Sequence, residues 1–385
     1  MHNSFGLTNY FTVILYTVIL TGSVGVSAQK VRPITISIEN TSNENVSNKV
    51  IEISWTEIIK HQPLIDTNQL IVVDQLLKQL AYQLESKGTD SIQNLLVQVS
   101  VPAHKKIILQ LKCGKKQAFI SKTYCRYVPE RYDDFAWEND RMAFRMYGKA
   151  LEATTFNGYG IDVWAKRTSN LVIDKWYKSE DYHKDHGEGL DFYGVGFSLG
   201  AGDCAPYWND SIYFPKNYDS YKVFGNGPLR SSFQLLYNAW KVGKYNITLK
   251  KMITLNAGEH LNRVEATFNF DGIDSLPIVI GINKQKGADI KILNEQERFM
   301  AYWLPKDSVN GTIGIGTVGT GTRQEMTYGH KHLLSLQSVK SGTPLVYYTG
   351  ATWDKAGYFT SANAWSSYLQ LFAKQVRNNL KISVN

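Results

Sequence analysis

The chain has 385 residues and a formal net charge of +8, and its lysines and arginines are scattered along the sequence. Scattered basic residues do not form a continuous positive surface, so the composition argues against a nucleic-acid partner and fits an anionic sugar at least as well. The cysteines, Cys113, Cys125 and Cys204, are too few for a disulfide scaffold and lack CxxC or zinc-ligand spacing. Export would allow one bridge, for which Cys113 and Cys125 are the nearest pair.

The N-terminus has the pattern of a secretory signal. Phe11 to Ile19 is a short apolar run, and Val26, Ser27 and Ala28 supply small residues before a cut ahead of Gln29. The run is shorter than the roughly 20 residues that span a bilayer. We predict a signal peptide over residues 1–28, a secreted or periplasmic chain, and no later transmembrane segment. An uncleaved anchor is the alternative, because His2 is the only residue before the run that can carry positive charge.

Residues 29–127 have the pattern of a small β-sandwich. Apolar and polar residues alternate in four short runs, which is typical of strands with one buried face: Ile34–Ile38, Ile51–Trp55, Leu96–Val101 and Ile107–Leu111. Residues 74–86 fit either a helix or a strand, and the neighbouring strands favour a strand. The mature chain is longer than one hydrophobic core generally supports, so we expect a second domain over residues 128–385.

Residues 128–385 are rich in aromatics and glycines and predict a larger sandwich. Strand-like runs recur between turn signals, at residues 160–165, 192–199, 231–237, 245–253, 262–270, 277–282, 312–318 and 345–349. Residues 361–377 have helical spacing. The glycine-rich residues 314–321 alternate with β-branched residues and precede no helix, which indicates a strand and turn rather than a nucleotide loop.

A first segment of interest, residues 129–148, combines acids, arginines and aromatic rings. Rings can cover the apolar face of a sugar, and arginine forks bind carboxylates in bidentate fashion. Arg141 and Arg145 share one face of either a helix or a strand. A structural salt-bridge network is the alternative. We take as candidates the acids, arginines and tryptophan of this segment: Glu130, Arg131, Asp134, Trp137, Glu138, Arg141 and Arg145.

A second segment, residues 181–193, places two histidines among acids. His183 or His186 can transfer protons near neutral pH, and an adjacent carboxylate can set the tautomer. Tyr193 is a candidate acid. The same histidines with Glu188 or Asp191 could hold a divalent metal, although the spacing matches no recognised motif and no cofactor is required. A plain surface loop is the remaining alternative.

Three further residues are candidate substrate contacts. Arg230 follows a Gly-Asn-Gly-Pro turn that would fix its position, with a sheet-edge charge as the alternative. Trp303 and Trp353 could stack on a sugar, although core packing is the commoner role of a tryptophan. His330 and His332 alternate on a strand or turn beside Tyr328.

Two stretches of the sequence resemble a known family, named domain of unknown function 4861. They are residues 127–148, which include Asp133-Asp134-Phe135-Ala136-Trp137-Glu138-Asn139-Asp140-Arg141, and residues 182–202, which include Tyr182-His183-Lys184-Asp185-His186-Gly187-Glu188-Gly189. The resemblance covers most of the mature chain. It implies an exported protein of polysaccharide-degrading bacteria, and a second domain similar to the mutarotase-like β-supersandwich.

The resemblance also implies an activity, the removal of water from a terminal uronate of ulvan-like oligosaccharides. The expected function is therefore a carbon–oxygen lyase, with His183, His186, Tyr193 and Arg141 as its catalytic candidates. Hydrolysis of a glycosidic bond by two carboxylates is a second hypothesis. A sugar-binding protein without activity is a third, and the sequence predicts no oligomeric state.

Overall fold

The computed structural model describes residues 1–2, 33–155, 158–179, 181–321 and 325–385. Ile34–Asn385 is one compact unit, and residues 1–33 are a separate one. The expected signal peptide and its cleavage after Ala28 fall almost entirely on residues outside the described ranges and stay predictions. No helix within those ranges is long and apolar enough to span a membrane.

The first elements form a small sandwich of two antiparallel sheets. They are β1 (Ile34–Glu39), β2 (Val46–Ser54), α1 (Trp55–His61), β3 (Leu70–Val73), β4 (Gln79–Leu80), β5 (Tyr82–Glu85), β6 (Asn94–Val101) and β7 (Lys106–Cys113). One sheet has the order β2-β6-β5, and the other the order β1-β7-β3-β4, extended beyond β1 by the last strand of the chain. The alternating apolar residues meet between the sheets and form their own core.

The remaining elements, apart from the last strand and the helices, build three further sheets. They are β8 (Thr123–Val128), β9 (Asp134–Asn139), β10 (Ala143–Met146), β11 (Asp162–Lys166), α2 (Ile173–Ser179), β12 (Gly189–Asp191), β13 (Ala201–Trp208), β14 (Ser211–Ile212), β15 (Ser220–Gly225), β16 (Arg230–Val242), β17 (Tyr245–Asn256), β18 (Leu261–Asn269), β19 (Leu276–Asn283), β20 (Ile290–Asn294), β21 (Phe299–Trp303), β22 (Ile313–Gly319), β23 (Glu325–Tyr328), β24 (His332–Val339), β25 (Pro344–Trp353), α3 (Ala362–Arg377) and β26 (Lys381–Val384).

An eight-stranded sheet, β15-β16-β17-β18-β25-β22-β21-β20, faces two five-stranded sheets, β12-β11-β10-β9-β8 and β14-β13-β19-β24-β23. One hydrophobic core joins all three. Helix α3 packs on β21 and β22 through Trp365 and Leu369. The mainly β fold, with a small sandwich before a large one, is confirmed. The division at residue 127 stays a prediction.

The sheet β8–β12 has one apolar and one charged face, because successive side chains of a strand point to opposite sides. Phe135, Trp137 and Phe144 face the main core. Residues from the alternate positions of β9 and β10, such as Asp134 and Arg145, lie on the other face. That face is covered by α2 and by Tyr182, through a cluster that includes Trp164.

Most element predictions from the sequence hold. The predicted helix is α3, capped by Ser361, whose hydroxyl accepts from the Ala364 N–H. The glycine-rich run is strand β22, and residues 74–86 include β4 and β5. The strand predicted at residues 192–199 is wrong, because this segment is irregular: the Asn283 and Gln285 side chains, rather than a strand, bond its Gly194 carbonyl. All three cysteines are thiols, so no bridge joins Cys113 and Cys125.

Candidate functional site

The charged face of the sheet β8–β12 gathers three aspartates around one arginine. The Arg145 guanidinium donates to Asp162 at 2.5 and 2.9 Å and to Asp191 at 3.0 Å, and Asp134 lies 3.6 Å away. All four side chains are buried. We call them the carboxylate cluster. Arg145 and Asp162 are direct cross-strand partners on β10 and β11, so strand register fixes their contact.

A close approach of backbones brings the last member into the cluster. Gly189 begins β12 with φ of +133°, and a Cβ there would lie 2.0 Å from the carbonyl oxygen of Ala165 on β11. Only glycine tolerates both conditions. The strand can therefore pair with β11 and carry Asp191 to Arg145.

The carboxylate cluster carries more acid than base. Burial raises the pKa of Asp134 to about 7, although Arg145 and Arg131 act in the opposite direction. Burial also raises the pKa of Asp162 and Asp191, and the charge of Asp162 adds to the rise at Asp191. Three carboxylates cannot all be ionised beside one guanidinium in a low-dielectric site. The cluster therefore retains protons near neutral pH.

The two segments singled out from the sequence meet at the edge of this cluster. Nδ1 of His183 lies 3.0 Å from the carbonyl oxygen of Asp191 and 3.6 Å from its carboxylate. Its ring lies 4.5 Å from that of Tyr182, whose hydroxyl accepts from Arg131 at 3.0 Å and faces Arg145 at 3.4 Å. The His183 side chain is 63% exposed. An accessible imidazole thus contacts a buried acid and the same tyrosine that two arginines contact.

The other ionisable residues of the second segment do not join this group. His186 pairs with Asp181 at 3.1 Å on the surface, and Glu188 pairs with Lys175 at 2.6 Å. No three His, Cys, Asp or Glu residues in the described ranges lie close enough together to hold a metal ion. The possible metal set of His183, His186 and Glu188 therefore has no preformed geometry among the described residues.

Glu138 and Glu130 have structural partners. Glu138 is fully buried, contacts Lys166 at 2.6 Å and accepts from the Val172 and Ile173 N–H groups at the start of α2. Glu130 is exposed and pairs with Arg126.

The predicted aromatic contacts are mostly internal. Trp137 is in the main core and donates to Asn262, and Trp353 is fully buried and donates to the Asn310 carbonyl. Trp303 is half-buried and packs in the α3 cluster. The Tyr193 hydroxyl is buried and has no hydrogen-bond partner among the described atoms. These positions suit core packing, as is usual for large aromatics.

Two predicted arginines lie elsewhere. Arg141 and Arg145 do not point together: Arg141 follows β9 in a turn and lies 4.2 Å from the ring centroid of Tyr358. The turn breaks the strand periodicity on which that expectation depended. Arg230 is buried at the start of β16 and contacts Glu52 and Glu85 of the small sandwich at 2.8 and 3.0 Å.

His332 and His330 also separate. His332 is buried on β24 and accepts the Leu199 N–H at 3.1 Å, and burial lowers its pKa to about 4. His330 is exposed before that strand. The sequence candidates did not include Asp162 or Tyr182. An acid inside an apolar strand was a signal for Asp162, whereas no local pattern distinguished Tyr182 as a site residue.

Comparison with known proteins identifies the family of the chain. The model of the family described as domain of unknown function (DUF4861) matches residues 38–382. The chain belongs to this family. It is also 34% identical over 283 residues to the uncharacterised protein P7 of Formosa agariphila, covering 69% of this chain and 71% of that relative.

Solved structures share the fold. A protein in glycosyl hydrolase family 38 from Enterococcus faecalis matches with a TM-score of 0.53 and 11% identity, over 92% of this chain and 47% of that one. An α-mannosidase from Enterococcus faecalis V583 matches with a TM-score of 0.54, 11% identity, and coverage of 92% and 46%. The chain spans about half the length of these structures, and the likeness concerns the fold alone.

Proposed function

We propose that the protein is a carbon–oxygen lyase that eliminates water from a terminal uronic acid of acidic, ulvan-like oligosaccharides, at the site around His183. The single observation that supports this most is that His183 and Arg131 both contact Tyr182, His183 through its ring and Arg131 through a hydrogen bond to the hydroxyl. The family resemblance and the pattern of an export signal point the same way.

The contacts of His183 fix the tautomer that a base needs. A carbonyl oxygen only accepts, so the contact with the Asp191 carbonyl at 3.0 Å places the proton of the neutral ring on Nδ1. Nε2 then carries the lone pair. Because the side chain is 63% exposed, that nitrogen is accessible to a substrate. An orienting contact of this kind is what a general base needs.

Arg131 supplies the second requirement of the reaction. The C5 proton of a uronate becomes acidic enough only when the carboxylate is neutralised and the enolate-like transition state is stabilised. Arg131 is half-buried and uses its Nε for Tyr182, which fixes the guanidinium and leaves its terminal nitrogens for a bidentate carboxylate contact. Arg145 is committed to the aspartates and holds the site together.

The elimination balances without a further reagent. His183 takes the C5 proton, the C4–O bond breaks, and a C4–C5 double bond forms. The resulting imidazolium returns the proton to the departing oxygen, which leaves as water. The Asp191 backbone carbonyl, which accepts from Nδ1 at 3.0 Å, stabilises the transient positive charge.

The first prediction concerns His183. His183→Gln is expected to lower kcat/KM for dehydration of a uronate-terminated oligosaccharide by about 10²–10⁴-fold, because proton transfer is lost. The readouts are the ultraviolet absorbance of the conjugated product and the loss of one water by mass spectrometry. His104→Gln is the matched control, since His104 is exposed on the small sandwich and contacts Asn43.

Unchanged turnover in His183→Gln would contradict the assignment. His186→Gln is expected to keep most activity, because its imidazole contacts only the surface carboxylate of Asp181 among the described residues. A larger loss in His186→Gln than in His183→Gln would transfer the role of base to the second imidazole.

Glycoside hydrolysis is the second candidate, supported by one observation. Asp134 has a pKa of about 7 and lies in a group of carboxyls, and a glycosidase needs one carboxyl that stays protonated near neutral pH. Products that gain water across a broken glycosidic bond would support it. Binding without any change in mass would favour a sugar-binding protein instead.

A further inference from the structure

A second candidate site lies in a cavity between the small sandwich and the eight-stranded sheet. The cavity has a volume of about 450 Å³, within the range of small-molecule sites. Strand β2 forms one side, β16 to β18 form another, and α3 with the residues after it forms a third. None of the residues assigned to the proposed elimination lines it.

The positive and negative charges that line the cavity are equal in number, and most of them form ion pairs. Four acidic and four basic side chains line it. Arg230 donates from Nη1 to Glu52 and Glu85 and from Nε to the Asn256 amide oxygen, at 2.8 to 3.0 Å. Arg263 pairs with Glu265. The lysines of the wall are matched as well, because Lys87 pairs with Glu52 and the charge of Lys49 interacts with that of Glu259. Since the four cations are balanced by four carboxyl groups, the lining has no excess of positive charge to favour a carboxylated or sulfated ligand.

One carboxyl group in the cavity, that of Glu259, interacts with the charges of Lys49 and Arg230 only at longer range. Glu259 accepts from the Asn256 side-chain amide at 3.1 Å, and it forms no ion pair within 4.0 Å among the described residues. Burial raises its pKa. A carboxyl of this kind accepts hydrogen bonds from hydroxyl groups or donates one to them, and it disfavours a negatively charged ligand.

Aromatic side chains supply the apolar part of the cavity. Tyr348, Tyr368 and Phe372 line it and are all half-buried. The rings of Tyr348 and Phe372 form an edge-to-face pair, with centroids 5.0 Å apart. Partly exposed rings gathered in a concave surface beside fixed polar groups are the usual mark of a ligand site. A pyranose ring presents both a C–H face and hydroxyls to such a wall.

We propose that this cavity binds an uncharged pyranose unit of an oligosaccharide, as a binding site distinct from the uronate site. Its C–H face packs on Tyr348 and Phe372, and its hydroxyls bond Glu259 and Asn256. The inference does not depend on the proposed elimination.

Strand β9 connects the two sites. Asp134, at its first residue, belongs to the carboxylate cluster. Asn139, at its last, donates to the Asn256 and Glu259 carbonyls at 2.6 and 2.7 Å, in the wall of the cavity. Five residue steps of a strand correspond to about 17 Å, which is the span of a few sugar units rather than one. The protein can therefore hold an oligosaccharide at two separate positions.

The test is equilibrium binding of neutral tetrasaccharides to the full chain by titration calorimetry. The probes are xylotetraose, mannotetraose and cellotetraose, with a galacturonic acid tetramer as the acidic comparison. At least one neutral probe is expected to bind. Tyr348→Ala and Glu259→Gln are expected to weaken that binding at least about tenfold, which corresponds to about 1.4 kcal/mol.

Two further variants keep the test decisive. Tyr348→Phe retains the ring and is expected to bind within a few-fold of wild type, even if Tyr348→Ala were to fold poorly. Tyr328→Ala is the matched control, because that tyrosine is exposed on the edge strand β23 and does not line the cavity. The proposal is overturned if no neutral probe binds, or if binding is the same in folded Tyr348→Ala and Glu259→Gln as in wild type.

Discussion

At the scale of single residues, the buried carboxyl of Asp134 makes stability depend on pH. Its folded pKa of about 7 exceeds the value near 3.9 in an unfolded chain. Between these values the folded state binds more protons than the unfolded state. The contribution of Asp134 to the free energy of unfolding is therefore full below about pH 4, falls as pH rises towards 7, and is constant above.

Asp134→Asn is expected to remove this dependence. The free energy of unfolding of the variant, relative to wild type, should rise by about 2–4 kcal/mol between pH 4 and pH 8, because the neutral amide needs no ionisation. Urea denaturation of both proteins at each pH measures it. The subtraction cancels the opposite trend from His260 and His332, whose pKa values burial lowers to about 4. If the free energies of unfolding of the two proteins changed with pH in parallel, the raised pKa of Asp134 would be contradicted.

At the candidate site, the sequence predicts which residues lie near one another better than it predicts what each one contacts. Density of charge drew attention to Arg131, Asp134, Arg145 and His183, which the structure brings to one edge of the carboxylate cluster. It did not separate His183 from His186, because the distinction is a contact with the backbone of Asp191 across a turn. Glu52 and Arg230 could not be paired either, since 178 positions separate them and only the tertiary fold brings them together.

At the scale of elements, Glu138 joins strand β9 to helix α2. Its carboxylate accepts from two N–H groups at the start of the helix and pairs with the fully buried Lys166. Glu138→Gln is expected to cost about 3–5 kcal/mol of stability, because a buried ammonium loses its countercharge. Thermal or urea denaturation measures the loss.

Glu130→Gln is the matched comparison for that change. Glu130 makes a surface pair with Arg126, so its loss is expected to alter stability by less than about 1 kcal/mol. Equal effects of the two substitutions would show that Glu138 does not hold the helix. Loss of α2 would also uncover Tyr182, which packs in the same cluster as Trp176 and Tyr177.

Element prediction succeeds where one face of a strand is buried. The alternation in β1, β6 and β7 reflects burial of one side of each strand. Helix α3 is predictable from its apolar stripe and its Ser361 cap. It fails at residues 192–199, where apolar side chains reach the core from an irregular segment. Periodicity records burial and cannot distinguish a strand from a loop anchored by Asn283 and Gln285.

At the scale of the whole molecule, the last strand, β26, completes the sheet that contains β1. Strand β26 pairs antiparallel with β1, with Ile382 opposite Ile38. Ile382→Ser is expected to destabilise the small sandwich by about 2 kcal/mol, since a half-buried apolar side chain leaves its core. Lys381→Ser is the control, because Lys381 is exposed on the same strand.

Urea denaturation of the full chain, together with the rate of proteolytic cleavage within residues 34–113, would measure this loss of stability. If Ile382→Ser and Lys381→Ser behaved alike, the closing strand would contribute little. No local pattern could have predicted this pairing, because its partners stand at opposite ends of the chain and a four-residue strand carries almost no periodicity of its own.

The three thiols differ in exposure, so their reaction with a thiol reagent can be used to follow unfolding. Cys125 and Cys204 are buried, and burial raises the pKa of each to about 12, whereas Cys113 is exposed at the end of β7. A maleimide reagent should therefore attach once to each native chain and three times once the sandwiches open. Counting adducts by intact mass during heating would show when the interior becomes accessible, without any engineered label.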